Sequence, residues 1–133
     1  MLDIEIKTIP HNEQRYETCG DYYDDGDVKR FRVSELEDWR YEFLVAVHEL
    51  IEEALTRYHG IPEPLIKEFD VVYESDKSEG LIPMENEPGD DPRAPYWQEH
   101  QLSTGIERTL AALLKVNWQE YEEACLALPR RGK

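Results

Sequence analysis

The strongest constraint on the fold is the segment 34–59, which carries both the period and the end signals of a long helix. Ser34 and Glu37 have the spacing of a capping box. Gly60 and Pro62 suit a helix C-terminus, because glycine accepts the left-handed conformation there and proline cannot continue the helix. The apolar residues follow helical spacing: Leu36, Trp39, Phe43, Leu44, Val47, Ile51, Leu55 and Tyr58. The sequence therefore predicts a helix over 34–59.

Three further helices are predicted after this one. The second starts near Pro62 or Pro64 and runs to about Glu74. The third covers about 95–115, with Pro95 as its first residue and an inward face of Ile106, Leu110, Leu113 and Leu114. Asn117, with Glu120 three residues on, opens a last helix that runs to about Leu128.

The first 33 residues have the pattern of strands. Apolar and polar residues alternate over 2–8, and Asp25-Gly26 is a favoured two-residue hairpin turn. We therefore expect an α+β fold, with a short N-terminal antiparallel β-hairpin or small sheet followed by a bundle of three to four helices. Residues 1–133 are expected to form a single domain, with a β-rich segment 1–33, a helical part 34–128 and a long loop 75–94.

The charge balance restricts the class of partner. The formal net charge is −15, with 30 acidic residues. Such a chain is not expected to bind nucleic acid directly or to lie on an anionic membrane, since both require clustered basic residues. No signal-peptide pattern and no apolar run of about 20 residues is visible, so we expect a cytoplasmic protein with Cys19 and Cys125 as free thiols. A homo-oligomer is left open.

The chemistry-bearing residues lie at the inward faces of the predicted helices. His48 and Glu52 are four residues apart, so their side chains share one face of the first helix. Asp70 lies at the edge of the inward face of the second helix, and His100 and Glu107 lie on one line of the third. Because helical bundles build metal sites from side chains on facing helices, His48, Glu52, Asp70 and His100 are predicted ligands.

Two interpretations of these residues remain open. In one, they hold a divalent metal ion (Zn²⁺, Mn²⁺, Fe²⁺ or Mg²⁺), and His48 and His100 converge although they are far apart in sequence. In the other, they form a buried polar network without an ion. Two aspartates in the acidic loop, Asp90 and Asp91, either add oxygen ligands or belong to a solvated loop stiffened by prolines.

The order HE, FD, EPGDDP-APY and then H with ER seven residues on resembles small uncharacterised proteins of phage and prophage type. A weaker resemblance is to the all-α nucleotide pyrophosphohydrolases of the MazG type, which hold Mg²⁺ against a triphosphate with acidic clusters on neighbouring helices. That resemblance implies such roles for Glu49, Glu52, Glu53 and Asp70, with histidines where the family has acids.

The function predicted is a metal-dependent hydrolase that acts on a phosphate-containing small molecule such as a nucleotide. Glu49 or Glu107 would orient or deprotonate a water in the catalytic step. The alternative is a non-catalytic acidic protein that binds a basic protein or imitates DNA. The two differ in where the acids lie, since a hydrolase concentrates them in a cleft and a mimic spreads them over an exposed face.

Overall fold

The computed structural model of the protein describes residues 2–130. These residues form a three-stranded sheet followed by four α-helices, so the predicted α+β class is confirmed. In chain order the elements are β1 (Ile4–Ile9), β2 (Gly20–Asp25), β3 (Val28–Ser34), α1 (Trp39–Tyr58), α2 (Glu63–Ser78), α3 (Trp97–Leu113) and α4 (Trp118–Leu126).

The sheet has the order β1-β3-β2. The predicted hairpin is confirmed, because β2 and β3 are antiparallel. Its turn is Gly26-Asp27 rather than Asp25-Gly26, since Asp25 pairs with Val28 and Gly26 takes a positive φ of 63°. The antiparallel expectation is wrong for β1, which pairs with β3 in parallel. The reason is the path of the connection 10–19, which crosses the end of β3. Strand β2 therefore starts on the side of β3 opposite β1, and β3, which follows the hairpin turn, runs in the same direction as β1.

The start of the first helix differs from the prediction. Ser34 does not cap it but is the last residue of β3, paired with Ile9 of β1. Helix α1 begins at Trp39, where the side chain of Asp38 accepts a hydrogen bond from the backbone N–H of Arg40. Pairing with β1 keeps the chain extended through Ser34, and this long-range contact outweighs the local capping signal.

The bounds of α2 and α3 also differ from the prediction. Helix α2 continues to Ser78, so it includes the first part of the loop predicted over 75–94. Helix α3 begins at Trp97 rather than at Pro95, and two of its predicted inward residues, Ile106 and Leu113, are exposed. The cap of α4 is confirmed, because the side chain of Asn117 accepts from the backbone N–H of Glu120.

Two apolar clusters hold the elements together. One joins β3 and α1 to α3 and α4, with the buried residues Val33, Leu44, Val45, Ala111, Val116 and Tyr121. The other joins the sheet to α2 and the segment before α3, with the buried residues Tyr22, Phe31, Ile66, Ala94 and Tyr96. Within residues 2–130, none of the helices has the length and apolar character needed to cross a membrane.

Candidate metal centre

Helices α1 and α3 bring two histidines together in the interior. The hydroxyl of Ser103 donates a hydrogen bond to the backbone carbonyl of His48 at 2.6 Å, and Ser103 is fully buried. A residue this small lets the two helices approach closely. His100, one turn before Ser103, therefore lies against His48, and their ring centroids are 4.6 Å apart. The predicted convergence of His48 and His100 is confirmed.

Three potential ligand atoms meet at this crossing. Nε2 of His48 lies 3.1 Å from Nδ1 of His100 and 3.1 Å from Oε2 of Glu52. Nδ1 of His100 lies 2.9 Å from the same Glu52 oxygen. Ligand atoms that bind one ion at about 2.0–2.1 Å are separated by about 3 Å when the bond angles are near 90–100°. The three atoms therefore have the spacing of ligands on one side of a single ion.

The remaining polar atoms of His48 and Glu52 are engaged by neighbouring side chains. Nδ1 of His48 lies 2.7 Å from Oε1 of Glu107, and the hydroxyl of Tyr121 donates to Oε2 of that carboxylate. The hydroxyl of Tyr22 donates to Oε1 of Glu52 at 2.9 Å. Outer carboxylates of this kind orient metal-binding histidines and fix their tautomer. Glu107 is thus placed to orient His48.

The charges of this group stabilise one another. Burial alone would lower the pKa of His48, but its contacts with Glu107 and Glu52 outweigh burial and raise the pKa well above the usual value. Likewise the carboxylates of Asp90, Glu52 and Glu87 outweigh burial at His100 and raise its pKa to about 12. Burial would raise the pKa of Glu52, yet the two imidazoles hold it at about 2. Without an ion, the carboxylates therefore favour the protonated form of the two rings.

Asp70 is not one of the converging ligands. Its oxygens accept hydrogen bonds from the hydroxyls of Tyr16, at 3.0 Å, and Tyr96. Burial raises the pKa of Asp70 to about 7, against the lowering effect of the Tyr96 hydrogen bond. Among the described residues, the inner group that could hold an ion consists of His48, Glu52 and His100. The structure therefore places Asp70 beside this group rather than in it.

Glu49 faces the same interior from the strand side of α1. Its carboxylate and Cγ occupy the space next to Gly20, where an added Cβ would lie only 2.6 Å from Oε1. Burial, followed by the negative charge of Glu52, raises the pKa of Glu49 well above the usual value. A carboxyl group with a raised pKa is suited to proton transfer near neutral pH.

All six predicted site residues line one cavity of about 580 Å³, bounded by α1–α4, the segment before β2 and the loop before α3. The cavity also contains cationic side chains, among them Lys67 on α2 and Arg108 on α3. Cys19 and Cys125 lie in its wall as free thiols, with their sulfur atoms 3.6 Å apart. The free state predicted for both cysteines is confirmed.

The sequence-based prediction missed the phenols that support the site. Tyr22, Tyr121 and Tyr96 each donate to one of its buried carboxylates, and none was singled out. Tyr121 lies one turn after the cap of α4, so helical period is the signal that marks it. Tyr22 has no such signal, because Gly20, Asp21 and Tyr22 are all buried in β2 and burial does not alternate there.

Comparisons of the chain with protein-family models, with curated proteins and with solved structures find no match.

Proposed function

We propose that this protein is a metal-dependent hydrolase whose ion is held by His48, Glu52 and His100. The observation that carries the proposal is the convergence of one atom from each of these side chains, at mutual distances of 2.9–3.1 Å. Two imidazoles and a carboxylate are a ligand set that suits Zn²⁺, Mn²⁺ and Fe²⁺.

The surrounding residues supply the other functions that hydrolysis needs. A divalent ion supplies Lewis acidity, lowers the pKa of a water and offsets negative charge on the substrate. Glu49, with its raised pKa, is the proposed general base that takes the proton of that water. Asp70, whose pKa is about 7, can deliver a proton to the leaving group.

A phosphate-containing small molecule is the proposed substrate. The cavity of about 580 Å³ has the size of a small-molecule site. Lys67 and Arg108 in its wall can bind phosphate oxygens. The many acids in the same wall oppose an anionic substrate, so the proposal requires that the ion be present before the substrate binds.

The distribution of acids favours this function over the acidic binding protein. Within residues 2–130 seven acids are buried, and five of them line the cavity: Asp21, Glu52, Asp70, Glu74 and Glu107. The two histidines have specific carboxylate partners, whereas a protein that acts through an exposed acidic face has no use for them. If the protein binds neither a divalent ion nor a phosphate compound, that result favours the alternative function, which is imitation of DNA or binding of a basic partner.

Thermal melts with and without cations test the proposed centre. A ligand that binds only the folded protein, at 100 times its dissociation constant, stabilises it by about 2.7 kcal/mol. Chelator-treated wild type should therefore melt at a higher temperature after addition of Zn²⁺, Mn²⁺ or Fe²⁺, and His48→Ala should lose the part of this rise that the inner ion contributes. The matched control is His59→Ala, because His59 pairs with Glu99 outside the cavity and its variant should keep the full response.

Catalysis is tested separately by phosphate release from a nucleoside triphosphate. Glu49→Gln should keep the metal-dependent shift in melting temperature and lose about 10²–10⁴-fold in rate, which is the usual contribution of a general base. Absence of a cation response in wild type with all three ions would overturn the metal centre. A cation response without hydrolysis would limit the protein to metal binding.

A further inference from the structure

A short acidic turn packs against the outer edge of His100. Residues Pro88–Asp90 form a 3₁₀ turn in which the backbone N–H of Asp90 donates to the carbonyl of Glu87 at 3.1 Å. Gly89 in this turn touches the imidazole so closely that an added Cβ would lie 2.4 Å from its Cγ and Nδ1. The absence of a side chain at Gly89 therefore lets the turn bring the carboxylates of Glu87 and Asp90 next to the ring.

The outer nitrogen of His100 points at these two carboxylates without bonding to either. The side chain is 9% exposed, and within residues 2–130 its Nε2 has no hydrogen-bond partner. Oδ1 of Asp90 lies at 3.4 Å and Oε2 of Glu87 at 3.5 Å. Charge-assisted hydrogen bonds are shorter, at about 2.7–2.9 Å. Both ion pairs are therefore loose, and the buried nitrogen lacks a hydrogen bond of ordinary length.

The spacing leaves room for an ion between the three atoms. Nε2 of His100 and one oxygen each from Glu87 and Asp90 lie within 4.8 Å of one another. The Asp90 oxygen is held in place by Gln101, whose side-chain amide donates to it at 2.8 Å. Exposed carboxylates alone are usually solvated by water. Here the two carboxylates lie beside a buried nitrogen that has no hydrogen-bond partner within residues 2–130.

We propose that Glu87, Asp90 and Nε2 of His100 form a second, outer site for a divalent cation. The inference rests on the proposed function in one respect, because the same imidazole holds the inner ion through Nδ1. Nδ1 would face the inner ion and Nε2 the outer ion, and the ring would have to release its protons to solvent, since metal binding displaces the protons of its ligands.

The outer ion gives the acidic cavity a means of accepting an anionic substrate. The side chains of Glu87 and Asp90 are about half exposed, at 53% and 55%, and both line the cavity. A divalent ion between them replaces two negative charges at the cavity wall with a neutral centre that has open coordination positions. These positions suit the oxygens of a phosphate group, which extends the proposed substrate class to molecules that contact both ions.

The experiment counts Mn²⁺ ions bound per chain by equilibrium dialysis and elemental analysis. Mn²⁺ suits carboxylate and imidazole ligands and avoids the thiols of Cys19 and Cys125, which attract softer ions. Wild type should bind two ions, and Asp90→Asn should bind one. The matched control is Asp91→Asn in the same loop, because Asp91 pairs with Arg93 and its variant should still bind two. His48→Ala, which removes an inner ligand, should keep the outer ion.

The outcomes separate this proposal from the proposed function. One ion in wild type that Asp90→Asn keeps and His48→Ala loses overturns the outer site and leaves the inner centre intact. One ion with the opposite pattern supports the outer site and excludes Mn²⁺ from the inner centre, and no bound Mn²⁺ at all overturns the outer site. If His48→Ala does not fold, the paramagnetic resonance spectrum of wild type decides. Two ions joined through one imidazole broaden each other's signals, whereas an unbroadened spectrum at saturation contradicts the outer site.

Discussion

Glu52 and Asp70 are buried carboxylates in the same cavity wall, yet their acidities differ widely. They are 4% and 7% exposed, but the pKa of Glu52 is about 2 and that of Asp70 is about 7. Burial raises the pKa of both. The difference comes from the partners, because Glu52 contacts two imidazoles whereas Asp70 accepts hydrogen bonds from neutral phenols and feels the charge of Glu52.

This contrast assigns different tasks to the two residues. Glu52 is ionised at neutral pH, as a metal ligand must be, and its Oε2 faces both His48 and His100. Asp70 exchanges its proton near neutral pH and has both oxygens engaged by Tyr16 and Tyr96. It is therefore better suited to proton transfer than to holding an ion.

Glu52→Gln should cause the largest loss of stability in metal-free protein. It leaves two protonated imidazoles without the carboxylate between them, and removal of one partner from a buried ion pair costs about 3–5 kcal/mol. The measurement is urea unfolding of chelator-treated protein at pH 7. The control is Glu53→Gln, because Glu53 is equally buried but its two cationic partners are not stranded without it: Arg57 is exposed and Lys29 keeps its ion pair with Asp24. Equal losses in the two variants would refute the special role of Glu52.

Glu107→Gln should weaken binding of the inner ion by about 10–100-fold, which is the usual effect of losing an outer carboxylate that orients a histidine. The reason is that Glu107 holds Nδ1 of His48 and leaves Nε2 free for the ion. Titration with Zn²⁺ measures the effect, and Glu99→Gln is the control because Glu99 pairs with His59. If both variants bind equally well, the orientation of His48 does not depend on Glu107.

Asp70→Asn should change how stability depends on pH. The folded-state pKa of about 7 lies above the unfolded value of about 3.9, so between these pH values the folded protein binds more protons. Asp70 therefore makes the wild type lose stability as pH rises through this window, by up to about 1.4 kcal/mol per pH unit. Unfolding measured at pH 5, 6, 7 and 8 should show a shallower decline in Asp70→Asn. Parallel curves would show that the pKa of Asp70 is not raised.

Tyr16→Phe should have the smallest effect, and that effect should depend on pH. The variant loses a hydrogen bond to Asp70, which is worth about 0.5–1.5 kcal/mol. The cost should be greater at pH 8 than at pH 5, because Asp70 is ionised only at the higher pH. Tyr22→Phe, which loses the corresponding bond to Glu52, should cost the same at both pH values. A pH-independent cost in both variants would remove the contrast between the two carboxylates.

Local sequence signals predicted the parts of the fold that depend on neighbouring residues. The β2–β3 hairpin, the C-terminus of α1 at Gly60 and the cap of α4 at Asn117 are found where they were expected, although the turn of the hairpin lies one residue later than predicted. Each depends on a backbone preference or a hydrogen bond within a few residues. The pairing of His48 with Glu52 was visible for the same reason, since residues four apart share a helix face.

The tertiary structure decided everything that joins distant segments. Pairing with β1 keeps Ser34 in β3, although the sequence predicted it as a helix cap. The oxygens of Asp70, a predicted metal ligand, accept hydrogen bonds from Tyr16 and Tyr96. Gly89 placed two acids beside His100. A sequence pattern specifies which face of an element is buried, but the partner of a buried group depends on how the elements pack. That packing is a balance of many long-range contacts, which no local pattern records.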